Sequence, residues 1–249
     1  MTGLSRTLCA VFCALAWAAP AAGAEEFRVA AAADGQTLVL ADGETLRLAA
    51  VRAPEAAHGA RWVEAARAAL DDLARGRTVR LDGPPRFDRH GRRVALPRLD
   101  DGTLLPVVLL AAGLVRVEIP EEAPDRLAEL HAAEAAARAA GRGLWSDPAF
   151  AALDAAAVPP ERIGGFAIVE GRVVEAAEVR GRGYLNFGSD WRTDFTVTAA
   201  PEVWRAMKRA GVDWSGYAGR ILRVRGWLEE YNGPMIELRS AAAIEVLGE

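Results

Sequence analysis

Lysine and cysteine are the scarce residues of this chain. Lysine occurs once, at Lys208, and arginine supplies every other cation. Cys9 and Cys13 are the only cysteines, and both lie in the first two dozen residues. Beyond them there is neither a disulfide nor a thiolate metal site, so the core alone must hold the fold. Long apolar runs are missing as well. After residue 24 no stretch approaches the roughly 20 apolar residues that span a bilayer as a helix. The three histidines, His58, His90 and His131, are scattered without metal-ligand spacing and read as surface or loop residues. No Ser-His-Asp arrangement, phosphate-cradling glycine loop or dinucleotide fingerprint is present, and no cofactor is expected. An excess of positive charge is also lacking. Residues 25–146 carry 17 basic and 19 acidic side chains, and residues 147–249 carry 12 and 15. This balance weighs against tight, sequence-blind nucleic-acid binding, which rests on released counterions, but leaves a local basic cleft open.

Residues 1–24 read as a secretory signal peptide. Arg6 gives a positive start, Leu8 to Ala19 is a short apolar run, and Ala22-Gly23-Ala24 is a small-residue cleavage site. A periplasmic or secreted protein without a membrane span after cleavage is expected.

Past the leader, strands dominate first. Residues 27–33, 37–40 and 45–51 read as strands, joined at Asp34-Gly35 and at the hairpin signal Asp42-Gly43. Residues 57–75 read as a helix, with Trp62, Ala66, Leu70 and Leu73 on one stripe and Gly76 as the stop. Strands follow at 78–81 and 94–99, separated by a loop from Gly83 through Asp88-Arg89-His90-Gly91-Arg92. Thr103 is placed to cap a short helix through Ala111. A short extended piece, 113–117, precedes an Ala-rich helix over 125–140. Strands, a helix, more strands and then helices predict an α+β domain, with five short strands suiting an OB-type five-stranded β-barrel.

Residues 147–163, with Pro148 and Pro159-Pro160, read as a linker. Residues 164–249 then predict a second small OB-like β-barrel. Its strands fall at 167–177, 184–187, 192–198, 220–229 and 235–239, with a helix over 201–210 and the hairpin signal Asn232-Gly233. The expected organisation is a signal peptide at 1–24, a first domain at 25–146, a linker at 147–163 and a β-rich domain at 164–249.

Four segments of the first domain occur together in order: Asp34-Gly35-x-Thr37, the stretch RLAAVRAPE at 47–55, Asp88-Arg-His-Gly-Arg92, and Gly143-Leu144-Trp145 after the long helix. In these, residues 27–146 resemble the thermonuclease (staphylococcal nuclease-like) family. The resemblance implies an OB barrel with packed helices and a cleft that cuts DNA or RNA phosphodiesters with calcium. It implies that Arg47 and Arg92 hold the scissile phosphate and that Glu55 activates water. It also places Gln36, Arg52 and Ala53 where the family carries its calcium ligands. Neither carboxylate is there, and Arg52 adds positive charge where the cation would sit. No metal is therefore expected: calcium draws most of its attraction from carboxylates, and at about 4 Å and an effective dielectric near 20 a like unit charge costs on the order of 4 kcal/mol.

Two readings of the site stand side by side. In one, Arg52 pairs with Glu55 and quenches it, leaving a non-catalytic or very weak nuclease homologue that binds single-stranded nucleic acid or a protein partner. In the other, Arg52 joins Arg47 and Arg92 on the phosphate, with Glu55 as base of a metal-independent phosphodiesterase. A purely structural envelope protein is a third possibility. Glu134, on the long helix, reads as a structural partner rather than a catalytic acid. In the second unit Tyr184, Phe187 and Trp191, close to Arg182 and Arg192, and Trp227, between Arg225 and Tyr231, are candidates for stacking bases, with core packing as the competing use of the same rings.

Overall fold

The computed structural model describes residues 25–81, 85–120 and 125–248. The signal-peptide reading of residues 1–24, the Gly83-Pro84 loop start and the His58 side chain lie outside the described parts.

The first unit begins with β1 (Glu26–Asp34), β2 (Thr37–Leu40) and β3 (Thr45–Leu48). Asp34 turns the chain by accepting from the Gln36 N–H at 2.8 Å. Gly35 follows for want of space: a Cβ there would lie 2.5 Å from the Ala66 Cβ. The strand expected over 45–51 stops at Leu48, because Ala50 takes φ +58° and breaks the ladder. The chain then resumes as β4 (Val51–Arg52). Helix α1 (Ala60–Ala74) buries Trp62, Ala66 and Leu70, as their spacing predicts, and Ala74 in place of Leu73, which is partly buried.

Next come β5 (Thr78–Leu81), β6 (Arg86–Phe87), β7 (Arg93–Ala95) and β8 (Pro97–Leu99). The single strand expected over 94–99 is thus two, parted at Leu96. They lie far apart in the sheet order β6-β7-β3-β2-β1-β5-β8. Five strand spacings of about 4.8 Å separate β7 from β8 on a flat sheet, far beyond the reach of one linking residue. The sheet must therefore curl strongly, helped by two register breaks between β1 and β2. Its inward side chains, among them Leu38, Leu46, Leu48, Val79 and Leu81, are fully buried.

Helix α2 (Leu105–Ala111) starts one residue later than expected, with Leu104 at the cap position and no side-chain cap. Thr103 does not cap it; its own N–H donates to Asp101 at 2.9 Å. Strand β9 (Arg116–Val117) pairs with β4, and α3 (Leu127–Ala139) follows.

Residues 147–163, expected as a linker, carry three short 3-10 turns and β10 (Leu153–Asp154), and bury Phe150 and Ala155. The second unit consists of β11 (Phe166–Arg172), β12 (Glu175–Val179), β13 (Arg182–Asn186), β14 (Thr196–Ala199), α4 (Pro201–Arg209), β15 (Ile221–Glu230), β16 (Pro234–Leu238) and β17 (Ile244–Gly248). The strand expected over 167–177 is divided between β11 and β12, and β17 was not expected. The sheet runs β10-β11-β15-β16-β14-β13-β12, with β17 beside β15. The turn between β15 and β16 uses Asn232 at φ +52° and Gly233 at φ +91°, as the Asn-Gly pair predicts.

One hydrophobic cluster runs through both units, from Val29 to Ala243. Two arginines stitch them further. Arg116 lies between the rings of Phe150 and Phe166, at 5.3 and 5.0 Å, and donates to the Phe166 carbonyl at 3.3 Å. Burial lowers its pKa to about 10. Arg225, on β15, donates to the Val117 carbonyl at 3.2 Å and to Glu134 of α3 at 2.7 Å. Glu134 in turn accepts from the Val117 N–H at 2.7 Å, which is the structural role its place on the helix suggests.

Candidate nucleic-acid cleft

Three of the four charged residues singled out near RLAAVRAPE and DRHGR line one cleft of about 850 Å³: Arg47, Arg52 and Arg92. Each is set there by its own local structure. Arg47 is on β3, between Thr37 of β2 and Val94 of β7. Arg52 is on β4, opposite Arg116 of β9. Arg92 closes a turn built by Asp88, which accepts from the backbone N–H of His90 (2.8 Å) and of Arg92 (3.0 Å) with one oxygen. Its other oxygen accepts from the Arg92 Nε at 2.7 Å, and Gly91 supplies the positive φ the turn needs. Burial works against the Asp88 charge, but these hydrogen bonds from Arg92 and His90 outweigh it and hold the carboxyl below its usual pKa. Glu55 follows Pro54 and is not among the cleft-lining residues; its side chain is 45% exposed.

Every one of these groups is engaged within the chain. Arg47 pairs with Glu118 at 3.1 Å. Arg52 hydrogen-bonds Glu55, lies 3.6 Å from Glu118, and stacks over the Trp227 ring with its guanidinium carbon 4.4 Å from the centroid. Arg92 is held by Asp88. Glu118 is the residue that sequence reasoning missed. It follows β9, with its N–H donating to the Ala50 carbonyl, and bridges two of the arginines. Only the pairing of β4 with β9 brings it there, and nothing in its neighbours along the chain announces it. Trp227, one of the aromatics set beside arginines in the sequence, reaches the cleft from the second unit.

The donor chemistry at the family's calcium positions is poor in oxygen. Gln36 offers one amide oxygen, already accepting from the Ala53 N–H at 2.9 Å. Arg52 offers only donors. Among the described residues, no group of three or more His, Cys, Asp or Glu side chains could hold a metal ion. These residues do not fit calcium, which takes six to eight oxygens, several from carboxylates.

The other aromatics considered for base stacking lie elsewhere. Phe187 is 8% exposed and packs on Phe195, with centroids 5.0 Å apart, so it serves the core rather than a solvent-facing platform. Tyr184 lies on β13 and its carbonyl accepts from Trp214. Trp191 is exposed, with Arg192 stacked on it at 4.5 Å. None of the three lines the cleft.

A strongly curled sheet with helices packed on it, and two arginines and a glutamate set around RLAAVRAPE, define a nuclease-type domain. Residues 45–147 match the family described as staphylococcal nuclease homologue, and those residues form such a domain in this protein. The match begins at β3, although β1 and β2 complete the same sheet. No curated protein matches the chain. Among the described residues no helix is long and apolar enough to cross a membrane.

Proposed function

We propose that this is an exported nuclease homologue that binds single-stranded nucleic acid in its arginine-lined cleft and does not carry out calcium-dependent hydrolysis. One observation carries the proposal: Arg52, standing where the family carries an acidic calcium ligand, is hydrogen-bonded to Glu55, the position of the general base. A guanidinium bonded to the base competes with the attacking water for its acceptor oxygens. A cation at this place also repels the divalent ion that would polarise the phosphoryl oxygen, a contribution of several kcal/mol to such reactions. What remains is a set of guanidinium groups whose planar donors suit phosphate.

The second unit reads here as an OB-type module. In its support, β11 and β12 are separated by two residues yet lie near opposite ends of one sheet. Export rests on residues 1–24; mature protein recovered from the periplasm or medium with Glu25 as its first residue would support it.

The test is a cleavage and binding assay on single-stranded DNA and RNA, with calcium and with chelator. Salt-sensitive binding without cleavage is the expected result. Calcium-dependent cleavage by the purified protein overturns the proposal. Cleavage in chelator that disappears in Glu55→Gln replaces it with the metal-independent phosphodiesterase, in which Arg52 joins Arg47 and Arg92 on the phosphate. Absence of binding points to a protein partner instead.

A further inference from the structure

The cleft has two walls, and only one belongs to the nuclease-homologue domain. The other is made by β15 and the end of β16, through Gly226, Trp227, Glu229 and Arg239. Charges on the two walls differ in how they are satisfied. Arg47, Arg52 and Arg92 have carboxylate partners, as does Arg225 beneath them. Arg89, on the first wall, donates to the His90 ring nitrogen at 3.1 Å and has no carboxylate partner among the described residues. Arg239, on the second wall, is exposed and likewise has none.

We infer that the binding site is composite: Arg239 of the second unit and Arg89 of the nuclease-homologue domain each take a backbone phosphate of one short single strand lying between the two walls. This inference rests on the nucleic-acid reading above and extends it to the second unit. A volume of about 850 Å³ is that of sites that enclose drug-sized ligands, which suits a few nucleotides of a single strand and not the width of a duplex. A guanidinium without a carboxylate partner loses no ion pair on binding a phosphate oxygen. Trp227 stacks on the Arg52 guanidinium, so the second wall touches the first at this point. Glu229 is the lining carboxylate without a cationic partner among the described residues, and it opposes the strand; this limits affinity.

The experiment uses the full chain and a fluorescein-labelled oligothymidylate about a dozen nucleotides long, with anisotropy read across a salt series. Arg239→Gln and Arg89→Gln are each expected to weaken binding roughly fivefold at low salt. Each should make the slope of log affinity against log salt shallower by about 0.7, the value for one phosphate contact to a single strand. Arg180→Gln, on the turn between β12 and β13, is the control for loss of a surface charge and should bind like the parent. Arg239 is exposed with no ion pair to lose, so an unchanged melting temperature certifies the fold. If Arg239→Gln binds with parental affinity and slope while Arg89→Gln or Arg92→Gln weakens it, the composite site is wrong and the nucleic-acid reading survives. If Arg180→Gln weakens binding as much as Arg239→Gln, the effect is general charge and the composite site is again wrong. If the parent protein does not bind at all, both fall.

Discussion

Arg225 and Glu134 form an ion pair at 2.7 Å with their side chains 0% and 1% exposed, joining the second unit to a helix of the first across 91 residues of chain. Burial opposes the Arg225 charge, while Glu134 and Glu245 raise its pKa above the usual arginine value. Removing Arg225 strands Glu134 in the core, and removing Glu134 leaves the buried Arg225 with Glu245 alone.

Glu134→Ala and Arg225→Ala should therefore each cost about 3–5 kcal/mol of stability, the range for breaking a buried pair. The double variant should cost clearly less than the two single losses together. Urea denaturation of the four proteins measures this. Single variants within about 1 kcal/mol of the parent would show the pair to be dispensable.

Restoring acids at the family's positions should restore an affinity for calcium. Gln36→Asp with Arg52→Asp would place two new carboxylates beside Glu55 and remove the opposing guanidinium. Millimolar calcium should raise the melting temperature of this variant and leave the parent unmoved, since only a ligand bound by the native state stabilises it. A calcium-dependent rise of equal size in the parent would mean that Arg52 does not exclude the ion.

Glu118→Gln should strengthen binding to single-stranded oligonucleotides severalfold at low salt. The substitution removes the carboxylate that engages Arg47 and neighbours Arg52, and each charge-assisted bond to phosphate then forms without breaking an ion pair. The gain should shrink as salt screens the cleft. Anisotropy measurements would reject this if affinity stayed the same or fell.

His131 gives the fold a dependence on pH. Its ring is half-buried beside Glu245, with Nδ1 3.7 Å from that carboxylate. Burial lowers its pKa, and Arg225 and Arg138 lower it further against the pull of Glu245 and Glu134. The unfolded chain takes up the proton near pH 6.5, and the folded chain resists until lower pH. Stability should fall as pH drops below about 6.5 and level off once the folded ring is also protonated. His131→Gln should remove that part of the fall. Urea midpoints at pH 7.5 and pH 5 that drop equally in both proteins would rule it out.

What was legible in the sequence follows the range of the interactions. Local signals held: the α1 stripe through Trp62, Ala66 and Leu70, the Asp88 loop, and the Asn232-Gly233 turn each depend on residues a few places apart. The misread boundaries are set from a distance or by one backbone angle. Leu96 divides a strand because its two sides pair with β3 and β5. Ala50 ends another by a left-handed φ that its side chain does not advertise. The arginines and glutamate of the site could be placed on the four family segments. Glu118 and Arg239 could not, because they enter the cleft through strand pairing and through a second unit whose position no local pattern encodes; for the same reason Trp227 could be singled out beside Arg225 but not placed in this cleft. Phe187 shows the converse: an aromatic near arginines reads alike whether it faces solvent or, as here, the core.

The buried carboxylate on α3 also bears on how the protein is made. Its guanidinium partner lies 91 residues further along, so the amino-terminal half leaves the ribosome before that counter-ion exists. Until β15 arrives, Glu134 has the Val117 N–H as a partner but no counter-charge where α3 meets β9. The nuclease-homologue half is in this sense completed from behind, by a strand made 91 residues later.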